Sequence, residues 1–436
     1  MVHSCRNLGA GRAIMVVIAV ITAVLATPEA QAVDPSEAPI AVRWWGGPHV
    51  TIETWWGLSV AINPTPETLN DDNLTDLTVV TTSNNQHTRS AKDRENAFVV
   101  SAVQQDGVVR EFDLILDRLP NDPAVTLTES HEKSQRGPHP IRLYAFPASD
   151  STSAPNREPL VLLEADGVSV LYCGALRTDD LSEQTLNRVT GVNVLVIPID
   201  EHGKQGPKPA AAAALVARIA PSQVVPLASP DSAALERFVN ALDLAEPSVA
   251  VGNTLAATGM SETSGPSVHL LKSTPWAAPE HIQEGLEAMR NARASFESVI
   301  TTLSAEQLDH QPSNGTHTVR WNAEHTAGAE LYFFSFVFRD ADDAFPVIRA
   351  TPAQQPADYV AGHPDWTPME EAAHLQRTGA FVERFAYLLV DVDPEDERYP
   401  TFFKSLDGLF TLLEGHYNKH QHNVEAKFSL ADWPKN

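Results

Sequence analysis

Leu406-Asp407-Gly408-Leu409-Phe410-Thr411-Leu412-Leu413-Glu414-Gly415-His416-Tyr417-Asn418-Lys419-His420 is the stretch whose reading decides the fold. Leu406, Leu409, Leu413, His416 and His420 recur in steps of three and four, the period of one face of an α-helix, and Phe402 extends that seam backwards. Upstream, Trp321, His325, Ala329, Tyr332 and Phe336 form a similar stripe on a helix expected over 319–338. Ile282, Leu286, Met289, Phe296, Ile300 and Leu303 mark another. Thr367-Pro368-Met369-Glu370 combines a capping box with proline at the first helical position, so a further helix should start there and run to about Val390. Four amphipathic helices from Trp276 onward, with a long crossing between the second and third, predict a four-helix bundle.

His416 and His420 lie one turn apart on the same helical face, and both continue its apolar seam. His325 continues the seam of the second helix in the same way, so the three imidazoles should point into the bundle near one end. A single histidine on such a seam usually caps the bundle at its surface. Three on two helices, with no obvious carboxylate among them, are most simply satisfied by one divalent cation. Three neutral ligands would leave that ion its full charge and an open coordination position. His422 falls on another face, and His310, His317, His363 and His374 fall in loops or off the seams and are assigned no role.

Before Ser273 the pattern is different. Short apolar runs such as Val50 to Ile52, Leu58 to Ile62, Ile141 to Phe146, Val168 to Tyr172 and Val194 to Ile199 are bounded by Pro, Gly, Asn and Asp, which reads as strands and turns. Helical stretches at Thr178 to Arg188, Pro209 to Ile219 and Ser232 to Leu242 alternate with the later strands, so this half reads as a layered α/β domain. A chain of 436 residues suits two such domains, because single cores rarely grow past roughly 250–300 residues. The expected divisions are a leader over 1–32, an α/β domain over 33–273 and an all-α bundle over 274–436.

The leader is read from Arg6 and Arg12, the small and apolar run Ala13 to Ala26, and Ala30-Gln31-Ala32, a signal-peptidase type of sequence. Export, periplasmic or secreted, with a mature chain from Val33, is the expectation. Cys5 would leave with the leader, so Cys173 should stand alone at a buried strand end. A net charge of −25 opposes nucleic acid and anionic membrane as partners. The expected partner is a small molecule of unknown identity, with no membrane contact after leader removal; the sequence is compatible with a dimer.

Two resemblances add to this reading. The run Leu303-Ser304-Ala305-Glu306-Gln307-Leu308, then Pro312, Gly315 and Thr318-Val319-Arg320-Trp321-Asn322-Ala323-Glu324-His325, closed by His416-Tyr417-Asn418-Lys419-His420, resembles the DinB-like family. The resemblance implies a nickel- or zinc-type site on His325, His416 and His420 and, in some branches, transfer chemistry on small thiols. Tyr417 and Glu324 are the sequence neighbours considered as supports for the ligands.

Arg43-Trp44-Trp45-Gly46-Gly47-Pro48-His49-Val50-Thr51-Ile52-Glu53, with Ile62-Asn63-Pro64, resembles the opening of metallo-β-lactamase-fold hydrolases, closest to the branch with ascorbate-phosphate lactonase. It implies an αββα sandwich. Where that family places a His-x-His-x-Asp-His cluster, the chain reads Thr82-Ser83-Asn84-Asn85-Gln86-His87. Ala175 stands where a bridging Asp belongs and Ala228-Ser229-Pro230 where a last His belongs. The resemblance therefore implies a pseudoenzyme domain without its dinuclear site; the alternative for this half is a different metal site rebuilt on the same rim from His49, His87, Asp200, Glu201 and His202. The expected whole is an exported protein with one divalent metal in its bundle, serving metal-assisted transfer or hydrolysis. The alternative is a non-catalytic binding protein whose metal is structural.

Overall fold

The computed structural model describes residues 32–33, 38–64, 76–81, 97–102, 109, 111–117, 126–128, 141–148, 159–174, 176, 181–200, 206–229, 231–242, 244, 246–259, 265–349, 359–400 and 403–435. Its strands are β1 (Ala32–Val33), β2 (Ile40–Trp44), β3 (Val50–Glu53), β4 (Leu58–Ile62), β5 (Asp76–Thr81), β6 (Ala97–Ser101), β7 (Phe112–Asp117), β8 (Thr126–Thr128) and β9 (Ile141–Phe146). They continue as β10 (Leu160–Ala165), β11 (Val168–Tyr172), β12 (Val194–Pro198), β13 (Gln223–Leu227), β14 (Ser248–Val249), β15 (Thr254–Ala257), β16 (Ser267–Leu270) and β17 (Val347–Ile348). The helices are α1 (Glu183–Val189), α2 (Pro209–Ile219), α3 (Ala233–Leu242), α4 (Glu280–Ile300), α5 (Ala305–Asp309), α6 (Val319–Ala341), α7 (Pro368–Phe385) and α8 (Leu406–Glu425).

A six-stranded sheet, β15-β2-β3-β4-β5-β6, and a nine-stranded sheet, β14-β16-β13-β12-β11-β10-β9-β7-β8, face each other. Alternation along each strand builds the layers, because successive side chains point to opposite sides. In β2, Ile40, Val42 and Trp44 enter the core between the sheets, whereas Ala41 points out to the bundle. In β10, Val161 and Leu163 face the other sheet, while Leu160 and Leu162 face the layer formed by α1, α2 and α3. The nine-stranded sheet thus carries its own helical layer. The outer face of the six-stranded sheet gives Ala41 and Ala256 to the bundle's core, so the bundle supplies the covering layer there.

The expected strands and helices are largely where the periodicity puts them, with shifted ends. α1 opens at Glu183 on the Ser182 cap, later than the pattern alone implies; residues 177–180 lie outside the described ones. β7 opens at Phe112, not Val109. Cys173 is buried, and burial pushes its thiol well above the ordinary range, as suits a structural cysteine.

In the bundle, α4 packs on α8 and α6 on α7. Thr367 and Glu370 form the expected capping box of α7, which tightens after Phe385 into a 3₁₀ turn over Ala386–Leu389. Phe336 departs from expectation. It is 37% exposed, while its neighbours Phe333, Phe334, Val337 and Phe338 are buried. The stripe's steps of four, four, three and four residues outrun a helix of 3.6 residues per turn, so Phe336 sits about 60° from Trp321 and the next row has rotated inward. The crossing between α6 and α7 carries β17, which pairs in parallel with β1, and the Ile348 amide donates to Ser335 Oγ at 2.9 Å. Among the described residues no helix is long and apolar enough to cross a membrane.

The two halves share a core. The turn Thr54-Trp55-Trp56-Gly57 closes through Gly57 N to Thr54 O at 3.1 Å, and the positive φ of 81° at Gly57 is one that L side chains rarely adopt. This turn carries Trp55, 2% exposed, to Phe381 and His374 of α7 at ring distances of 5.3 and 5.9 Å, both edge-on. Trp56 meets His363 and Trp366 in the same manner. Beside them Arg384 reaches Glu53 at 2.8 Å.

Candidate metal centre

The first turn of α6 sets up the site. Thr318 is the N-cap, and its side chain accepts from the Trp321 amide at 3.1 Å. With the helix started there, His317, Trp321 and His325 fall at four-residue spacing and stack: His317 on Trp321 at 3.4 Å between centroids, and Trp321 on His325 at 4.5 Å. The next element to arrive is α8, whose second half carries His416 and His420. Behind the site, Phe296, Val319, Ala323, Ala327, Leu375, Tyr417 and Val424 form an apolar cluster that packs the helices together at this end.

His325, His416 and His420 come together so that one ligand atom from each lies within 4.8 Å of the others. His325 Nε2 and His416 Nε2 are 3.2 Å apart. His420 Nδ1 lies 2.7 Å from Asn322 Oδ1. His325 and His420 are 9% and 5% exposed, and His416 is partly exposed. Burial, followed by the neighbouring imidazoles and Lys419, holds His416 and His420 well below the ordinary histidine range, so both rings are neutral near pH 7. Burial and Lys427 likewise lower His317, to about 4.

This donor set suits a divalent cation. Two imidazole nitrogens at ~2.0–2.1 Å from one tetrahedral ion stand roughly 3.3 Å from each other, close to the separation found between His325 and His416. His416 and His420 are held neutral by burial, as ligation requires. The group contains no carboxylate, and among the described residues it is the only cluster of this kind.

The supports named from sequence turn inward but do other work. The Tyr417 hydroxyl donates to Glu330, which also pairs with Arg293 at 2.8 Å in the bundle interior. Glu324 accepts from Tyr359 Oη at 2.7 Å and from the amides of Gly362 and His363, and so ties the 359–363 segment to α6. Sequence reading passed over Asn322, whose amide faces His420, and His317, whose ring backs Trp321. Only their i, i+4 relation to Thr318, Trp321 and His325 carries a trace of this. His363 and His374, also unassigned, belong to the aromatic contacts between the two halves. On the rim of the α/β domain, His49 sits in the β2–β3 turn, whereas His87, Ala175, Glu201 and His202 lie outside the described residues.

Residues 271–423, which span this centre, match the family model of the DinB superfamily. Residues 41–228 match that of the beta-lactamase superfamily domain. The chain joins a beta-lactamase superfamily domain to a DinB superfamily domain. Both families bind divalent metals, and the three histidines of the DinB domain are a group that could hold one. Solved structures similar to the beta-lactamase-like half include a metallo-beta-lactamase superfamily protein from Thermotoga maritima, at 13% identity and a TM-score of 0.35, covering 53% of this chain and 100% of that one. Another is the metallo-beta-lactamase fold protein YhfI from Bacillus subtilis, at 9% identity and 0.33, covering 54% and 98%. A third is the metallo hydrolase Igni18 from Ignicoccus hospitalis, at 16% and 0.32, covering 47% and 91%. Among curated proteins nothing matches.

Proposed function

We propose that this is an exported protein whose DinB domain holds one divalent ion, of nickel or zinc type, on His325, His416 and His420, for metal-assisted transfer or hydrolysis of a small molecule. The observation that carries the reading is the convergence of three imidazoles from two helices with no carboxylate among them, two of them, His416 and His420, held neutral by burial. An ion on three neutral ligands keeps its charge and an open position, and supplies Lewis acidity that favours the anionic form of a nucleophile beside it. The chain's own part is to keep the rings neutral and oriented: burial does the first, and the Trp321 stack holds the plane of His325. Export is supported by Arg6, Arg12, the apolar run 13–26 and Ala30-Gln31-Ala32. For the beta-lactamase-like half, the replacements at Ala175 and at Ala228-Ser229-Pro230 support a scaffold without its own dinuclear centre.

The test is metal content by mass spectrometry on the chain from Val33 onward, beside His416→Ala. About one equivalent of nickel or zinc in the parent, lost in the variant, is expected for a single three-histidine site. Metal retained in His416→Ala, or none in either, would remove the reading. Cobalt substitution separates catalytic from structural use: an open site changes its visible spectrum on adding azide, whereas a closed one does not.

A further inference from the structure

We propose that Asn322 fixes the tautomer of His420 and thereby presents His420 Nε2, alongside His325 Nε2 and His416 Nε2, to the divalent ion. This rests on the metal reading of the three histidines and adds to it the residue that aims one of them.

Asn322 is 2% exposed, so its amide must find partners within the protein. One end, Nδ2, stands 2.6 Å from the Thr318 carbonyl oxygen. A carbonyl can only accept, so the atom facing it must be the amide nitrogen, and the two ends of the side chain are thereby told apart. The other end, Oδ1, stands 2.7 Å from His420 Nδ1. An amide oxygen also only accepts, so His420 Nδ1 must carry the hydrogen. A neutral imidazole has one N–H, which leaves Nε2 with a bare lone pair. His325 and His416 approach each other through their Nε2 atoms, so the three rings then share one mode of ligation.

The direction of this relay is set by helix geometry. Thr318 is the N-cap of α6, and the Asn322 backbone amide also points at its carbonyl, at 3.3 Å. Asn322 is therefore held at its backbone and its side chain by the same oxygen, at the first i→i−4 bond of the helix. The neighbouring Trp321 holds His325 by stacking. Adjacent residues of one turn thus orient ligands on two helices, Trp321 by a ring face and Asn322 by a hydrogen bond. Second partners of this kind fix ring orientation and raise ligand basicity.

Two measurements on the chain from Val33 test it. In the metal-free protein, long-range ¹H–¹⁵N NMR of the imidazoles should show His420 as the Nδ1–H tautomer, and Asn322→Ala should shift it towards Nε2–H. Zinc competition against a chromophoric chelator should show Asn322→Ala weaker by about 10–100-fold, while Asn322→Asp, whose carboxylate accepts the same hydrogen bond from His420 but loses the one to the Thr318 carbonyl, should bind more tightly than Asn322→Ala. A parent protein with His420 as Nε2–H would overturn the inference even if Asn322→Ala fails to fold. So would equal zinc affinity in a folded Asn322→Ala. A parent that shows the Nδ1–H tautomer yet binds no zinc, cobalt or nickel would instead overturn the metal reading, and the ion-presenting role with it.

Discussion

Glu371 is a residue whose chemistry follows from its surroundings more than from its type. It is fully buried on α7, and burial together with the nearby Glu324 carboxylate outweighs Arg320, raising it to about 8. Its Oε1 meets Arg320 at 2.6 Å, while Oε2 is without a hydrogen-bond partner, as suits a carboxyl that holds a proton at neutral pH. A folded pKa above the unfolded one means the folded state binds the extra proton. The stability this contributes is full below the ordinary value of 4.5 and is lost as pH rises through about 8. Glu371→Gln should therefore lie within about 1 kcal/mol of the parent at pH 7. Urea unfolding from pH 6 to 9 should show the parent losing stability relative to the variant; parallel curves would mean Glu371 is ionised throughout. Nothing at positions 368–374 announces this in the sequence, because the raised value comes from burial and from Glu324, against the pull of Arg320, and both residues are distant in the chain and brought close only by helix packing.

At the scale of elements, α7 shows how much is local. Its start is written in Thr367-Pro368-Met369-Glu370, and the structure has both halves of the capping box, with the Thr367 amide reaching Glu370 Oε2 at 2.6 Å and the Glu370 amide reaching Thr367 Oγ1 at 3.4 Å. Thr367→Ala should cost about 1 kcal/mol, read as a lower denaturation midpoint. Metal content should be unchanged, because the three histidines sit on α6 and α8; a loss of metal would show that the start of α7 governs the site. Most of the seam of α8 was equally legible: Leu406, Leu409, Leu413 and His420 are buried, His416 is partly exposed, and Phe402 lies outside the described residues. Phe336 lies off the buried face because steps averaging more than 3.6 residues drift around the helix. The roles of His363 and His374 were illegible, because their partners Trp55 and Trp56 come from a hairpin turn some three hundred positions earlier.

For the whole molecule, Glu53 is where the halves are clamped. It is 1% exposed on β3, with Arg43 at 2.9 Å from its own sheet and Arg384 at 2.8 Å from α7. Burial alone would push its carboxyl up, but Arg384 and Arg43 more than offset this and hold it below the ordinary 4.5. Here the folded state binds fewer protons. The stabilisation is present above that value and fades as pH falls through the lower folded one. Glu53→Gln leaves two guanidiniums short of a counter-charge and should cost roughly 3 kcal/mol at pH 7. The gap between parent and variant should narrow below pH 4.5 in thermal melts. A gap independent of pH would rule out the ionised clamp.

What the amino-acid order determined by itself is whatever depends on period and near neighbours: the change from strand to helix spacing near Ser273, the caps of α6 and α7, and the three histidines on two apolar seams. These are decided within a turn or a strand, where geometry is fixed by the backbone repeat. Tertiary structure alone decided that the bundle covers the outer face of the six-stranded sheet, that Glu53 and Arg384 meet, that burial and Glu324 push the Glu371 carboxyl up, and that Asn322 faces His420. Each of these pairs residues on separate elements, and their energies depend on distance and burial, which no spacing along the chain encodes.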